Sequence, residues 1–408
     1  MYKKNSDVYA QHISSVLEFM YRNRKTSRIE ISYATHLTPA LITTITNDLI
    51  AEGLIVETGD EISHLPGSGR KRKLLTLKPF TNYVIGIEIN MRGIFVSLAD
   101  TLGNEVHSAS LSFQAYDVQN INAEIIDQIK TCLTKINPSL ILGVGIAVPG
   151  HFDYTTQTIV SNNPIWHSFH LKKISKHFDF PFIINNNVEC MSLGEYLFNP
   201  EYCPDKFLFY HIGHGLFCSY FNAAQMGIKE NYHIGEVGHT VVDINGPLCE
   251  CGKKGCLQTY ISESWLIKNG KFLLGRSSNG ILRSLVESPD EINIETIIKA
   301  YELGDPYFSH QIDQGIRLLS ISIANILIMQ DSDKIYLNSK LFQHQAFQSQ
   351  TISLVEEQLS FLPIKHNIGV EIVPFNNFRG AHGACALAVF AFFIKHKNFI
   401  SAVHMSEK

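Results

Sequence analysis

A chain of 408 residues is too long for one hydrophobic core, so two or three domains are expected. With 45% hydrophobic and 18% charged residues it has the makeup of a folded globular protein rather than a disordered one. The net charge of −4 gives no sign of nucleic-acid binding by the chain as a whole, and no unbroken apolar run reaches the ~18 residues of a membrane span. The polar start Met1-Tyr2-Lys3-Lys4-Asn5 is unlike a signal core, so a cytoplasmic protein without membrane insertion is expected. Charge is unevenly placed: residues 1–80 hold 11 Lys+Arg against 8 Asp+Glu, the remainder 23 against 30.

The first element is a helix from Val8 to about Asn23, where Ile13, Val16, Leu17 and Met20 recur at helical spacing. Ser27 with Glu30 three residues on marks a capped helix start. Thr38-Pro39 opens the next helix, which buries Leu41, Ile42, Ile45, Leu49 and Ile50 and runs to Ile50. Its outward residues, Ala40, Thr43, Thr44 and Asn47, are short and uncharged, as a helix reading the major groove requires. After Gly53, the apolar Leu54-Ile55-Val56 followed by Ile62 predicts a short two-stranded wing. Three helices of this kind serve protein contacts as well. The basic run that follows, Arg70-Lys71-Arg72-Lys73 behind Gly67-Ser68-Gly69, favours DNA: it reads as a backbone-following arm, the alternative being a solvated linker.

These residues resemble the repressor branch of the ROK family (repressors, open reading frames and kinases), of the xylose- and N-acetylglucosamine-repressor type. The carriers are Ser27-Arg28-x-Glu30-Ile31, Thr38-Pro39-Ala40-Leu41-Ile42-Thr43, Leu49-Ile50-x-Glu52-Gly53-Leu54-Ile55 and the glycine-rich basic arm. Lys73 departs from the proline common there, which keeps the charge of the arm but changes its backbone. The resemblance places Ser27, Arg28, Thr38, Pro39, Ala40, Thr43, Thr44, Asn47, Arg70, Lys71, Arg72 and Lys73 on DNA.

From Tyr83 the pattern turns to strands: Tyr83–Ile89, Gly93–Asp100 as its hairpin partner, a continuation at Leu111–Phe113, a helix over 121–136 and a buried strand from Leu140 to Val148. This order resembles the two-lobed, actin-like ATPase body of ROK sugar kinases. The expected fold is therefore α/β, an N-terminal winged helix-turn-helix (1–66), a basic arm and linker (67–79), an N-terminal lobe (80–200, with a C-terminal helix at 376–400) and a C-terminal lobe (201–375) that carries the oligomerisation surface. The apolar Phe390-Ala391-Phe392-Phe393 is expected to pack on the body or on a second subunit.

Against the family's kinases, three nucleotide turns are altered. Asn90-Met91 stands in the first glycine turn, Phe217-Cys218 in the second, and Asn338-Ser339 replaces a glycine pair in the third. Aligned on Leu193-Gly194-Glu195, the aspartate base of the kinases is Asn187, and a carboxamide cannot take a hydroxyl proton. The expectation is ligand binding without catalysis. His239, Cys249, Cys251 and Cys256 form a Cys₃His set whose Cys-x-Cys-Gly-x-x-Gly-Cys knuckle suits a structural zinc ion, the alternative being three reduced thiols. The resemblance puts Asn186, Asn187, Glu236 and His239 on sugar hydroxyls, with Gly150 and Asn163 near them and Gln258 where the family has glutamate. It implies a homodimer or homotetramer on a palindromic double-stranded operator, with a small carbohydrate effector closing the lobes and changing the spacing of the DNA-binding heads. Two other readings stay open: a sugar kinase with an added N-terminal domain, and a regulator answering to a sugar-transport protein.

Overall fold

The computed structural model describes residues 7–62, 72–113, 120–161, 163–226, 233–276, 280–361 and 368–395, with the side chains of 60–62 and of Arg72 excepted. The chain forms two compact units, residues 1–203 with 377–408 and residues 204–376.

The first unit opens with helix α1 (Asp7–Asn23), strand β1 (Lys25–Ser27), α2 (Arg28–Thr35) and α3 (Pro39–Ala51). Local chemistry fixes these ends. Ser27 accepts the Glu30 amide while the Glu30 carboxylate takes the Ser27 amide, and Thr38 caps α3 with Pro39 in its first turn. Strand β2 (Ile55–Ile62) then pairs antiparallel with β3 (Arg72–Leu77), and β3 also pairs with β1. This corrects the expected two-stranded wing, whose return strand is β3 rather than the stretch near Ile62. Leu74, Leu75 and Leu77 are buried in this sheet, as the strand-like run over 74–77 at the end of the arm and linker predicts.

Strands β4 (Tyr83–Asn90), β5 (Gly93–Asp100) and β6 (Glu105–Ser112) follow as a meander. Then come helix α4 (Ile121–Leu133), β7 (Ile141–Val148), the small hairpin β8 (His151–Asp153) and β9 (Thr158–Val160), and α5 (Leu171–Ser175). Strand β10 (Phe182–Asn186) leads directly into α6 (Asn187–Phe198). The sheet order is β10-β7-β4-β5-β6, with β4, β7 and β10 parallel.

The second unit holds β11 (Lys206–Ile212), β12 (Leu216–Asn222), α7 (Gln258–Ile261), α8 (Glu263–Arg276), α9 (Ile281–Leu285), α10 (Ile294–Glu302), α11 (Pro306–Met329), β13 (Lys334–Asn338), α12 (Gln345–Leu359) and β14 (Gly369–Ile372). Its sheet runs β12-β11-β13-β14. Among the described residues α11 alone is long and apolar enough to cross a membrane, but its Phe308, Ile312, Ile316, Leu319 and Ile323 fill the core of the unit.

The chain returns to the first unit as α13 (Arg379–Ala388), continued by a π-helical turn, Val389–Ile394. Helix α13 lies across β4 and β7 where Gly86 and Gly145 leave room: a methyl group on either would meet the backbone of Ala381 or Ala384. The apolar tail packs on its own body, with Phe393 edge-on to Tyr21 of α1 and Lys395 paired with Glu18 at 2.6 Å.

Candidate functional site

The exposed face of α3 is the first candidate surface. Thr38, Pro39, Ala40, Thr43, Thr44 and Asn47 are all exposed on one helix. Thr43 and Thr44 donate their hydroxyl protons to the carbonyls of Pro39 and Ala40, at 2.8 and 3.1 Å. They therefore offer outward methyl groups and acceptor lone pairs. Ser27 is buried, its hydroxyl engaged in the cap of α2. Arg28 is three-quarters covered, and its guanidinium donates to Thr46, Asn47 and Glu57. Lys73 pairs with the other oxygen of Glu57 at 2.7 Å, and these two cations hold the Glu57 carboxyl below its ordinary range, Lys73 first. Arg70, Lys71 and the side chain of Arg72 lie outside the described residues.

The second group sits where β10 passes into α6. Asn186 is buried and caps α6, its Oδ1 accepting the Val188 amide at 2.8 Å and the Glu189 amide at 3.3 Å. Its Nδ2 donates to the Gly150 carbonyl at 2.7 Å. Asn187 is half-exposed and donates to Glu88 Oε1 at 3.4 Å. Glu88 was not anticipated from the sequence, although the Gly86-x-Glu88 spacing in the altered first turn could have pointed to it. It is buried against Gly380, and desolvation raises its pKa against the opposing bonds from Asn90 and Asn187. Asn163 caps the turn Pro164–Ser168 through Ile165 and reaches Met91 Sδ at 3.4 Å, so Met91 of the first altered turn stands beside it.

The far end of α6 holds the head. Arg24 donates to the Leu197 carbonyl at 2.9 Å, Arg22 donates to the Cys203 carbonyl at 2.9 Å, and the Arg22 guanidinium lies 4.4 Å over the Tyr196 ring. The Tyr21 hydroxyl, buried, donates to the Thr101 carbonyl. The middle of α6 is fixed to α13 by the Glu195–Arg379 pair at 3.2 Å and by close contact between Gly194 and Gly383, which gives the Leu193-Gly194-Glu195 motif its physical content.

The second unit brings His239, Cys249, Cys251 and Cys256 together, their ligand atoms all within 4.8 Å of one another. His239 Nδ1 lies 3.6 Å from Cys249 Sγ, and Cys251 Sγ lies 3.6 Å from Cys256 Sγ. Sulfurs held ~2.3 Å from a tetrahedral ion would sit about 3.8 Å apart, whereas a disulfide needs about 2.05 Å. The set thus fits a bound metal ion and not a disulfide. Glu236 is half-buried, and desolvation raises its pKa. Gln258, nearly buried, turns its amide nitrogen to Cys249 Sγ at 3.4 Å and to Glu250 Oε1 at 2.9 Å. Neither bond is open to a carboxylate, which accounts for an amide at this position. Of the residues expected on sugar hydroxyls or near them, Gly150, Asn163, Asn186 and Asn187 belong to one unit, and Glu236, His239 and Gln258 to the other.

In the second altered turn Phe217 sits over Gly235. In the third, buried Asn338 Oδ1 lies 2.8 Å from His211 Nδ1.

The sequence pattern of the ROK family matches residues 84–390. The chain belongs to the ROK family. The xylose repressor of Caldicellulosiruptor bescii is 25% identical over 379 residues, covering 92% of this chain and 94% of that protein. The DNA-binding transcriptional dual regulator NagC of Escherichia coli is 23% identical over 326 residues, 77% of each chain. A ROK family transcriptional regulator homologous to the E. coli MLC protein superposes with a TM-score of 0.73 at 23% identity, covering 97% of this chain and all of that one. A ROK glucokinase from Streptomyces griseus, complexed with glucose and AMPPNP, superposes at 0.59 with 20% identity, covering 75% of this chain and 99% of its own. The fold is thus the α/β ROK body behind an N-terminal winged helix-turn-helix.

Proposed function

We propose that this protein is a cytoplasmic, sugar-responsive DNA-binding transcriptional regulator, of the xylose- or N-acetylglucosamine-repressor type, that represses carbohydrate genes. The observation carrying this is the exposed, uncharged face of α3 on a winged helix-turn-helix attached to a ROK body. Its likeness to a xylose repressor and to NagC, each over most of both chains, supports it. The effector is a small carbohydrate whose hydroxyls bind Asn186 and Asn187 at the start of α6. Asn187 supplies hydrogen bonds where the kinases have a base, so binding leads to no phosphoryl transfer.

Zinc is the ion that three thiolates and one imidazole favour at the knuckle, where it would tie the His239 segment to residues 249–256. His239 would bind the ion through Nδ1. Helix α6 is the route to DNA. Asn187 begins it and Arg22 and Arg24 of the head grip its other end, so a ligand pulling on its first turn displaces the head.

The test is selection of duplexes from a random-sequence library by the purified protein, followed by a panel of sugars and sugar phosphates added to the selected complex. One sugar changing the affinity supports the reading. ATP turnover with that sugar would establish a kinase instead, and release only by a transport protein would establish the partner-controlled alternative.

A further inference from the structure

Arg28 stands at the first position of α2, where a cation in a DNA-binding head is ordinarily counted as a phosphate contact. Each of its three nitrogens, through three of the five N–H donors, is engaged elsewhere. Nε donates to Thr46 Oγ1 at 2.8 Å, Nη1 to Glu57 Oε1 at 2.9 Å, and Nη2 to Asn47 Oδ1 at 3.2 Å. Thr46 is fully buried and passes its own proton to the Thr43 carbonyl at 3.3 Å, so the polar chain is closed inside α3. Glu57 belongs to β2, and its second oxygen takes Lys73 of β3. One side chain therefore joins the start of α2, the reading face of α3 and strand β2 of the wing, where Glu57 in turn holds Lys73 of β3.

The contact with Asn47 has a chemical direction. A guanidinium only donates, so the amide oxygen of Asn47 must face inward and its NH₂ is the end left free on the exposed face of α3. Bidentate reading of adenine needs oxygen and nitrogen side by side on the base edge. An amide held by its oxygen is suited instead to acceptors: purine N7, guanine O6 or thymine O4.

We propose that Arg28 is a positioning residue for sequence recognition, which locks the recognition helix to the wing and turns Asn47 to present N–H donors to the major groove. This rests on the DNA-binding reading above and assigns one of its residues a different task.

The experiment uses full-length protein and the duplexes it selects from a random library. Wild type, Arg28→Ala, Arg28→Lys, Thr46→Val and Asn47→Ala are compared on selected and on random duplex over a salt series. A lost phosphate contact lowers the slope of log K against log salt by about 1 and weakens both DNAs alike. A lost positioning residue leaves the slope and the random-duplex affinity in place. The expected result is a loss of about tenfold or more on selected DNA for both Arg28 variants. Their preference should broaden at the base pair that Asn47→Ala also affects. Thr46→Val should broaden the same base pair, because this fully buried side chain cannot touch DNA and its hydroxyl oxygen is the acceptor that holds Arg28 Nε. A slope reduced by about 1, equal losses on both DNAs, or unchanged preference in Arg28→Lys overturns the proposal. A wild-type protein that selects no sequence overturns the DNA-binding reading itself, and this inference with it.

Discussion

Replacing Gly383 by alanine tests whether α6 is held in place by its contact with α13. A methyl group there would lie 2.5 Å from the Cys190 carbonyl carbon and 2.7 Å from the Met191 nitrogen. Carbon contacts settle at roughly 3.5 Å, so α6 must retreat by about 1 Å. The obstacle is backbone, which cannot rotate aside, so the strain falls near the upper end of overpacking, about 3 kcal/mol. Better helix propensity returns at most about 1 kcal/mol, leaving a net loss of ~2 kcal/mol. For a unit of this size that lowers the melting midpoint by roughly 4–8 °C. Trp166 in the first unit and Trp265 in the second are the only tryptophans, so Trp166 fluorescence in a Trp265→Phe background reports the first unit alone. Because Cys190 lies one turn from Asn187, the effector should also bind about tenfold more weakly, the equivalent of one hydrogen bond misplaced. Gly275→Ala, whose methyl group meets nothing within 4 Å, is the control. A Gly383→Ala protein that melts within a degree of wild type and binds effector unchanged would refute the packing argument.

Gln258→Glu replaces the donor to Cys249 by a like charge beside Glu250, so a chelator should strip the metal roughly 10–100-fold more readily. Metal release followed by a colorimetric indicator measures this, and an unchanged rate would remove Gln258 from the metal site. Glu88 has its folded pKa raised by burial, so its contribution to stability is complete below its ordinary 4.5 and is lost as pH rises through the raised value. Glu88→Gln should therefore unfold less readily than wild type at neutral pH and lose that advantage in acid, as denaturant midpoints across pH would reveal. Tyr21→Phe leaves the Thr101 carbonyl without its buried donor and should cost about 1–2 kcal/mol, read as a lower denaturant midpoint with an unchanged slope.

Wherever a feature lies within a short stretch of chain, the sequence alone determined it. The caps at Ser27 and Thr38, the buried stripe of α3 and the Cys₃His spacing each depend on neighbours a few residues apart, where backbone geometry leaves little choice. The buried-strand runs within Tyr83–Asp100 likewise pointed to a hairpin before any partner was known. Tertiary structure alone decided which partner a given donor finds across long separations. The return of α13 over Gly86 and Gly145, the grip of Arg22 and Arg24 on the end of α6, and the burial of Glu88 beside Asn187 join residues about 100 to 300 positions apart. The division of Arg28 between α3 and the wing spans only 18 to 29 positions, yet the fold decided it too. A guanidinium followed by exposed polar residues reads the same in sequence whether it faces phosphate or its own protein. Only the folded backbone, by bringing Thr46, Asn47 and Glu57 within 3.2 Å, fixes where its donors go.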